Sequence, residues 1–164
     1  MPYQISNQRR KQVWESMLTA DLNYRYWGHL GRRYSKLDRT ARVFLALTSS
    51  STVASWGFLI EQEMVWKLLS ALSAIIAVSL PVFNWQATAE TIVELRTGWL
   101  QILKEYEMLW MRIEDDAINA DELQTAIKQL AAQEVEFDHK AANLPNDAHL
   151  KQICQDEVIA SRGL

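Results

Sequence analysis

VFLALTSSSTVASWGFLI, residues 43–60, and LLSALSAIIAVSLPVFNWQATA, residues 68–89, decide how this chain is read. The first has no charge in 18 positions and the second none in 22. At 1.5 Å per residue they would form helices of about 27 and 33 Å, close to the ~30 Å hydrocarbon core of a bilayer. Only Glu61–Lys67 (EQEMVWK) separates them, so the two would turn back on each other and return both chain ends to one side. The expected fold class is all-α: a membrane protein with a two-helix transmembrane hairpin over residues 43–89 and long cytoplasmic helical arms.

The flanks orient this hairpin. Arg25, Arg32, Arg33, Lys36, Arg39 and Arg42 lie close before the first span, whereas the loop has Glu61, Glu63 and only Lys67. Positive charge is retained on the cytoplasmic side, so both termini are expected in the cytoplasm, with Arg32, Arg33, Lys36, Arg39 and Arg42 as the topogenic cluster. The first span is rich in hydroxyls. Thr48, Ser51, Thr52 and Ser55 fall on one side of a helix, and a ring of such helices would bring them together as a pore lining, with Glu61 and Glu63 at the outer mouth. The competing reading is a buried hairpin in a soluble helical adaptor, its hydroxyls bonded back to the preceding turn.

The arms show helical periodicity. In residues 1–42, Trp27, Leu30, Tyr34, Leu37 and Ala41 recur at alternating three- and four-residue steps that run into the first span at Phe44. Over residues 90–118, Ile92, Leu95, Trp99, Ile102, Tyr106, Leu109 and Ile113 follow a heptad spacing, widened by Leu103 and Trp110. A face this wide exceeds the seam of a two-stranded coiled coil. This stripe is therefore expected to pack against the N-terminal arm and neighbouring subunits, with Trp99, Ile102, Tyr106 and Leu109 joining the subunits of a homo-oligomer. Residues 119–164 read as a helical pair: Asn119 with Glu122 forms a capping box, Asn143–Asn146 (NLPN) is a break, and a last helix runs from Asp147 to Arg162.

Composition narrows the chemistry. A net charge of −3 gives no general affinity for nucleic acid. A single cysteine, Cys154, excludes an intrachain disulfide. The mean hydropathy of −0.16 hides the concentration of apolar residues near the middle. The Met1 end lacks the short apolar core and cleavage pattern of a signal peptide, so none is expected. There is no glycine-rich phosphate loop, nucleophile elbow or paired-cysteine motif, so neither enzymatic activity nor a cofactor is expected. Asp138, His139, Asp147 and His149 would approach a metal only if the break at Pro145 folded them together. Ordinary surface polarity accounts for them more simply, and no metal is expected.

The stretch Tyr24–Tyr34 (YRYWGHLGRRY), the basic run Lys36–Arg42, the two spans and the long helix after them together resemble the SLATT proteins, two-helix membrane effectors of bacterial nucleotide-sensing conflict systems. The likeness covers residues 10–115 and lies in arrangement and residue type. It implies an antiphage membrane effector that oligomerises in the bacterial inner membrane and forms a pore or ion channel, or perturbs the bilayer, to toxic effect. A sensor protein or nucleotide second messenger would be the trigger, and residues 116–164, outside the likeness, would meet it. A phage holin-like lysis protein is the alternative membrane reading.

Overall fold

The computed structural model describes residues 5–48, 67–68, 71–78 and 85–164. Among them are α1 (Asn7–Thr48), α2 (Trp85–Glu114), α3 (Ala120–Ala141) and α4 (Ala148–Arg162), and residues 71–78 are also helical. The described residues contain no strand. The chain divides into two compact units, one of residues up to Leu30 with Thr91–Leu164, the other within Gly31–Glu90.

The first unit is organised by α2. Its heptad residues Ile92, Leu95, Trp99, Ile102, Tyr106, Leu109 and Ile113 are all buried, as is Leu103. From α1, Val13, Met17, Ala20, Tyr26, Trp27 and Leu30 join this core; from α3, Leu123 and Leu130; from α4, Leu150, Cys154 and Val158 at four-residue steps. Aromatic contacts tie the layers: Trp14 meets Trp110 with centroids 5.2 Å apart, and Trp99 meets Phe137 at 6.0 Å.

The connections obey local capping chemistry. α2 ends at Glu114, and Asp116 adopts a left-handed conformation (φ 50°) in the turn that follows. Asn119 caps α3 as the capping-box spacing requires, accepting from the Asp121 and Glu122 amides at 3.1 and 2.8 Å. The reciprocal bond runs from Asn119 Nδ2 to Glu122 Oε1 (2.9 Å), a side-chain variant of the box. Asp147 caps α4 through the Leu150 amide, and Gly163 closes it at φ 70°. Tyr26 locks the connection between α3 and α4. Its hydroxyl donates to the Pro145 carbonyl and accepts from the Asp147 amide.

The second unit corrects the expected architecture. The chain is helical, but among the described residues no helix is long and apolar enough to cross a membrane. Val43–Thr48 forms the end of α1, a helix that carries Arg32, Arg33, Lys36, Asp38, Arg39 and Arg42 in the turns just before. At the other side, residues 85–89 begin α2, which meets Glu90 and Glu94 within its first three turns. The ends of the uncharged runs that are described thus belong to helices with charged turns, and no described helix supports the transmembrane hairpin. The remainder of the run 43–60 lies outside the described residues.

Gly98 sets the approach of α3 to α2. A Cβ there would stand inside the van der Waals shell of the Phe137 ring. Alanine in a helix interior is ordinarily about 1 kcal/mol better than glycine. Overpacking costs about 1–3 kcal/mol, so Gly98→Ala should lower stability in spite of its propensity gain. Gly98→Ala combined with Phe137→Ala should lose less than the sum of the two single changes in urea unfolding.

Candidate functional site

Of the residues expected to line a pore, Thr48 closes α1, and Ser51, Thr52, Ser55, Glu61 and Glu63 lie outside the described residues. Of the residues expected to join subunits, Trp99, Ile102, Tyr106 and Leu109 are at most 4% exposed, covered by the chain's own helices. The stripe was wide because three elements of the same chain pack on it.

The basic cluster stands on the second unit. Arg32, Arg33, Lys36, Arg39 and Arg42 are all exposed on α1. Asp38, the one carboxylate in the sequence between Gly31 and Thr48, pairs with Arg42 at 2.9 Å; Arg42 also donates to Gln86. Arg32, Lys36, Arg39, Val43 and Leu47 follow each other at steps of four, three, four and four. At 3.6 residues per turn these steps gather them within about 80° of the helix circumference. Ala41, on the opposite side, is buried, whereas Val43 and Leu47 are 52% and 60% exposed. Leu37, Leu68, Leu72, Ile75 and Val78 add further exposed aliphatic surface to this unit. On α1, Arg32, Lys36, Arg39, Val43 and Leu47 thus form a face of cations followed along the helix by aliphatics.

The first unit contains a different arrangement, a polar network among packed helices. Asp21 is buried. It accepts from Arg25 Nε at 2.7 Å, and from Arg162 Nε and Nη2 at 3.2 and 3.1 Å. Arg162 also donates to Glu107 at 2.9 Å, which in turn pairs with Lys104 at 2.8 Å. Hydrogen bonding from Lys104, opposed by partial burial and aided by Arg162, holds the Glu107 carboxyl below its usual range. Arg25 reaches Glu157 Oε2 at 3.8 Å, and His29 Nε2 lies 3.1 Å from Glu157 Oε1. Behind these sits the fully buried thiol of Cys154. One ligand atom from each of His29, Cys154 and Glu157 lies within 4.8 Å of the others. The four-residue group Asp138, His139, Asp147 and His149 does not come together as a metal-binding set among the described residues.

Sequence reading missed this cluster. Cys154 and Glu157 are three apart on a helix and so share a face, which was legible. His29 lies more than a hundred positions earlier, and only the packing of α4 on α1 brings it in. No known family model, characterised protein or solved structure matches the chain. The SLATT resemblance therefore rests on residue arrangement alone.

A half-buried carboxylate is poorly accommodated. Ionisation of the Tyr106 hydroxyl is strongly disfavoured by its burial and by the neighbouring Glu134 charge. Glu134 Oε1 is buried with no hydrogen-bond partner. Burial pushes the Glu134 carboxyl above its ordinary value, opposed by the nearby Tyr106 hydroxyl and helped by Asp138. The folded state thus holds this proton to higher pH than the unfolded chain does. The corresponding stability is complete below the unfolded value, about pH 4, and is lost as pH rises through the folded one. Glu134→Gln removes that titration. It should stabilise the protein by roughly 1 kcal/mol at neutral pH and flatten the decline in Tm between acid and neutral pH, measured by circular dichroism.

Proposed function

We propose that this chain is a non-enzymatic effector that works at the anionic inner face of a bacterial membrane, with its second unit meeting lipid and its first unit forming the folded body. The observation that carries this reading is the face of α1 on which Arg32, Lys36 and Arg39 are followed by the exposed Val43 and Leu47. Cations and aliphatics in this order suit an interface in which anionic headgroups lie outside an apolar layer. Long basic side chains reach headgroup phosphates while their methylene stems and neighbouring aliphatics enter the acyl boundary. The reading needs no membrane-crossing helix. The antiphage role is what the SLATT resemblance implies, and bilayer perturbation is the action proposed for it here.

Vesicle flotation of the full chain tests the surface. Binding should require anionic phospholipid, weaken with salt, and be accompanied by leakage of an entrapped dye. Each basic residue near such a surface contributes about 1 kcal/mol. Arg32→Gln, Lys36→Gln and Arg39→Gln together should therefore reduce binding about a hundredfold. The same triple change should abolish any protection against phage that expression confers. Equal binding to zwitterionic vesicles, or undiminished binding by the triple variant, would remove the lipid surface. Self-association through Val43 and Leu47 without vesicles would assign that face to a second copy of the chain.

A further inference from the structure

We propose that His29, Cys154 and Glu157 form a binding site for a divalent transition-metal cation of the Zn²⁺ class, with a water in the fourth position. The site belongs to the first unit and is independent of the lipid-binding reading. Three observations carry it. First, the donors are imidazole nitrogen, thiol sulfur and carboxylate oxygen, a set that suits borderline-soft Zn²⁺ and leaves hard cations such as Mg²⁺ poorly served. Second, they converge: the three ligand atoms lie within 4.8 Å of one another, and His29 Nε2 stands 3.1 Å from Glu157 Oε1. Two N/O ligands at 2.0–2.1 Å from a tetrahedral ion stand about 3.3 Å apart, so this edge of the site is already at ligand spacing. Third, access and shielding are divided. Cys154 is fully buried, whereas the side chains of His29 and Glu157 are 30% and 37% exposed. The thiol thus forms the closed back of a site whose open side faces solvent.

The surrounding charges are compatible with a cation. Arg25 is the neighbouring positive group, and its Nε is engaged at 2.7 Å by the buried Asp21 carboxylate. Its Nη1 lies 3.8 Å from Glu157 Oε2, the oxygen farther from His29, and can steady the carboxylate while Oε1 faces the ion. On binding, Cys154 loses its proton to solvent, and the thiolate with Glu157 balances the two charges of the metal around a neutral His29. The ion would join α4 to α1 beside the Asp21 network, as a structural staple with an open coordination position.

Titration of the full chain with Co²⁺ alone, followed by Zn²⁺, tests this. One Co²⁺ per chain should bind with a thiolate-to-metal charge-transfer band in the near ultraviolet, and Zn²⁺ should displace it. His29→Gln and Glu157→Gln should each weaken binding tenfold or more, and Cys154→Ser should abolish the band. The first two positions are partly solvated, so these variants keep the test usable if Cys154→Ser does not fold. His139→Gln, outside the cluster, should leave the titration unchanged. Absence of the band at saturating Co²⁺ would overturn the site. So would a band whose affinity is unaffected by both His29→Gln and Glu157→Gln, since the thiol alone would then be the ligand.

Discussion

Burial of the α2 stripe is the constraint on which the folded unit depends. Ile92, Leu95, Trp99, Ile102, Tyr106, Leu109 and Ile113 recur at three- and four-residue steps, and every one is withdrawn from water. Covering a large apolar side chain contributes about 1.5–3 kcal/mol, so the seven together are a major source of the unit's stability. Leu103 and Trp110 broaden the stripe beyond what one facing helix can cover. The chain meets that demand internally, with α1, α3 and α4 packed on the same α2. The short connections Asp115–Asn119 and Ala142–Asp147 keep α3 and α4 close enough to do so.

Apolar burial alone leaves helices free to slide, and the polar network supplies register. Asp21 accepts from Arg25 on its own helix and from Arg162 on α4, while Arg162 also reaches Glu107 on α2. A buried carboxylate is costly unless its lone pairs are satisfied. Here both oxygens are occupied by guanidinium donors in one arrangement of three helices, and a shift of α4 by a turn would strand the charge. Tyr26 acts in the same sense at the other connection, where its hydroxyl both donates and accepts within the backbone of the Pro145–Asp147 turn.

The all-helical class, the α2 stripe, the Asn119 cap and the break before α4 were legible because each is encoded within a few residues. What was not legible is who covers whom. Heptad periodicity on α2 reports that a face is buried, and it reads the same whether the cover comes from another subunit or from α1, α3 and α4. The uncharged runs were misread for a related reason. Absence of charge over 18 or 22 residues suits a bilayer span, but helix boundaries need not coincide with composition boundaries. Val43–Thr48 belongs to a helix whose preceding turns are strongly basic, and residues 85–89 open a helix that soon turns acidic. The His29–Cys154–Glu157 cluster was invisible for want of any local signal joining positions 29 and 154.

The length of α1 explains why two kinds of surface occur on one helix. Its 42 residues amount to about 63 Å of helix. The buried stripe of α2, from Ile92 to Ile113, spans only about 32 Å, and the buried residues Val13 to Leu30 of α1 cover about 26 Å of it. Beyond Leu30 the requirement changes. The side chains at 32, 36 and 39 are cations and those at 43 and 47 are aliphatic, on the same side of the helix and exposed. Exposed aliphatics gain nothing from water, and the basic side chains beside them favour an anionic neighbour. An anionic surface with an apolar layer beneath satisfies both halves of the stripe at once.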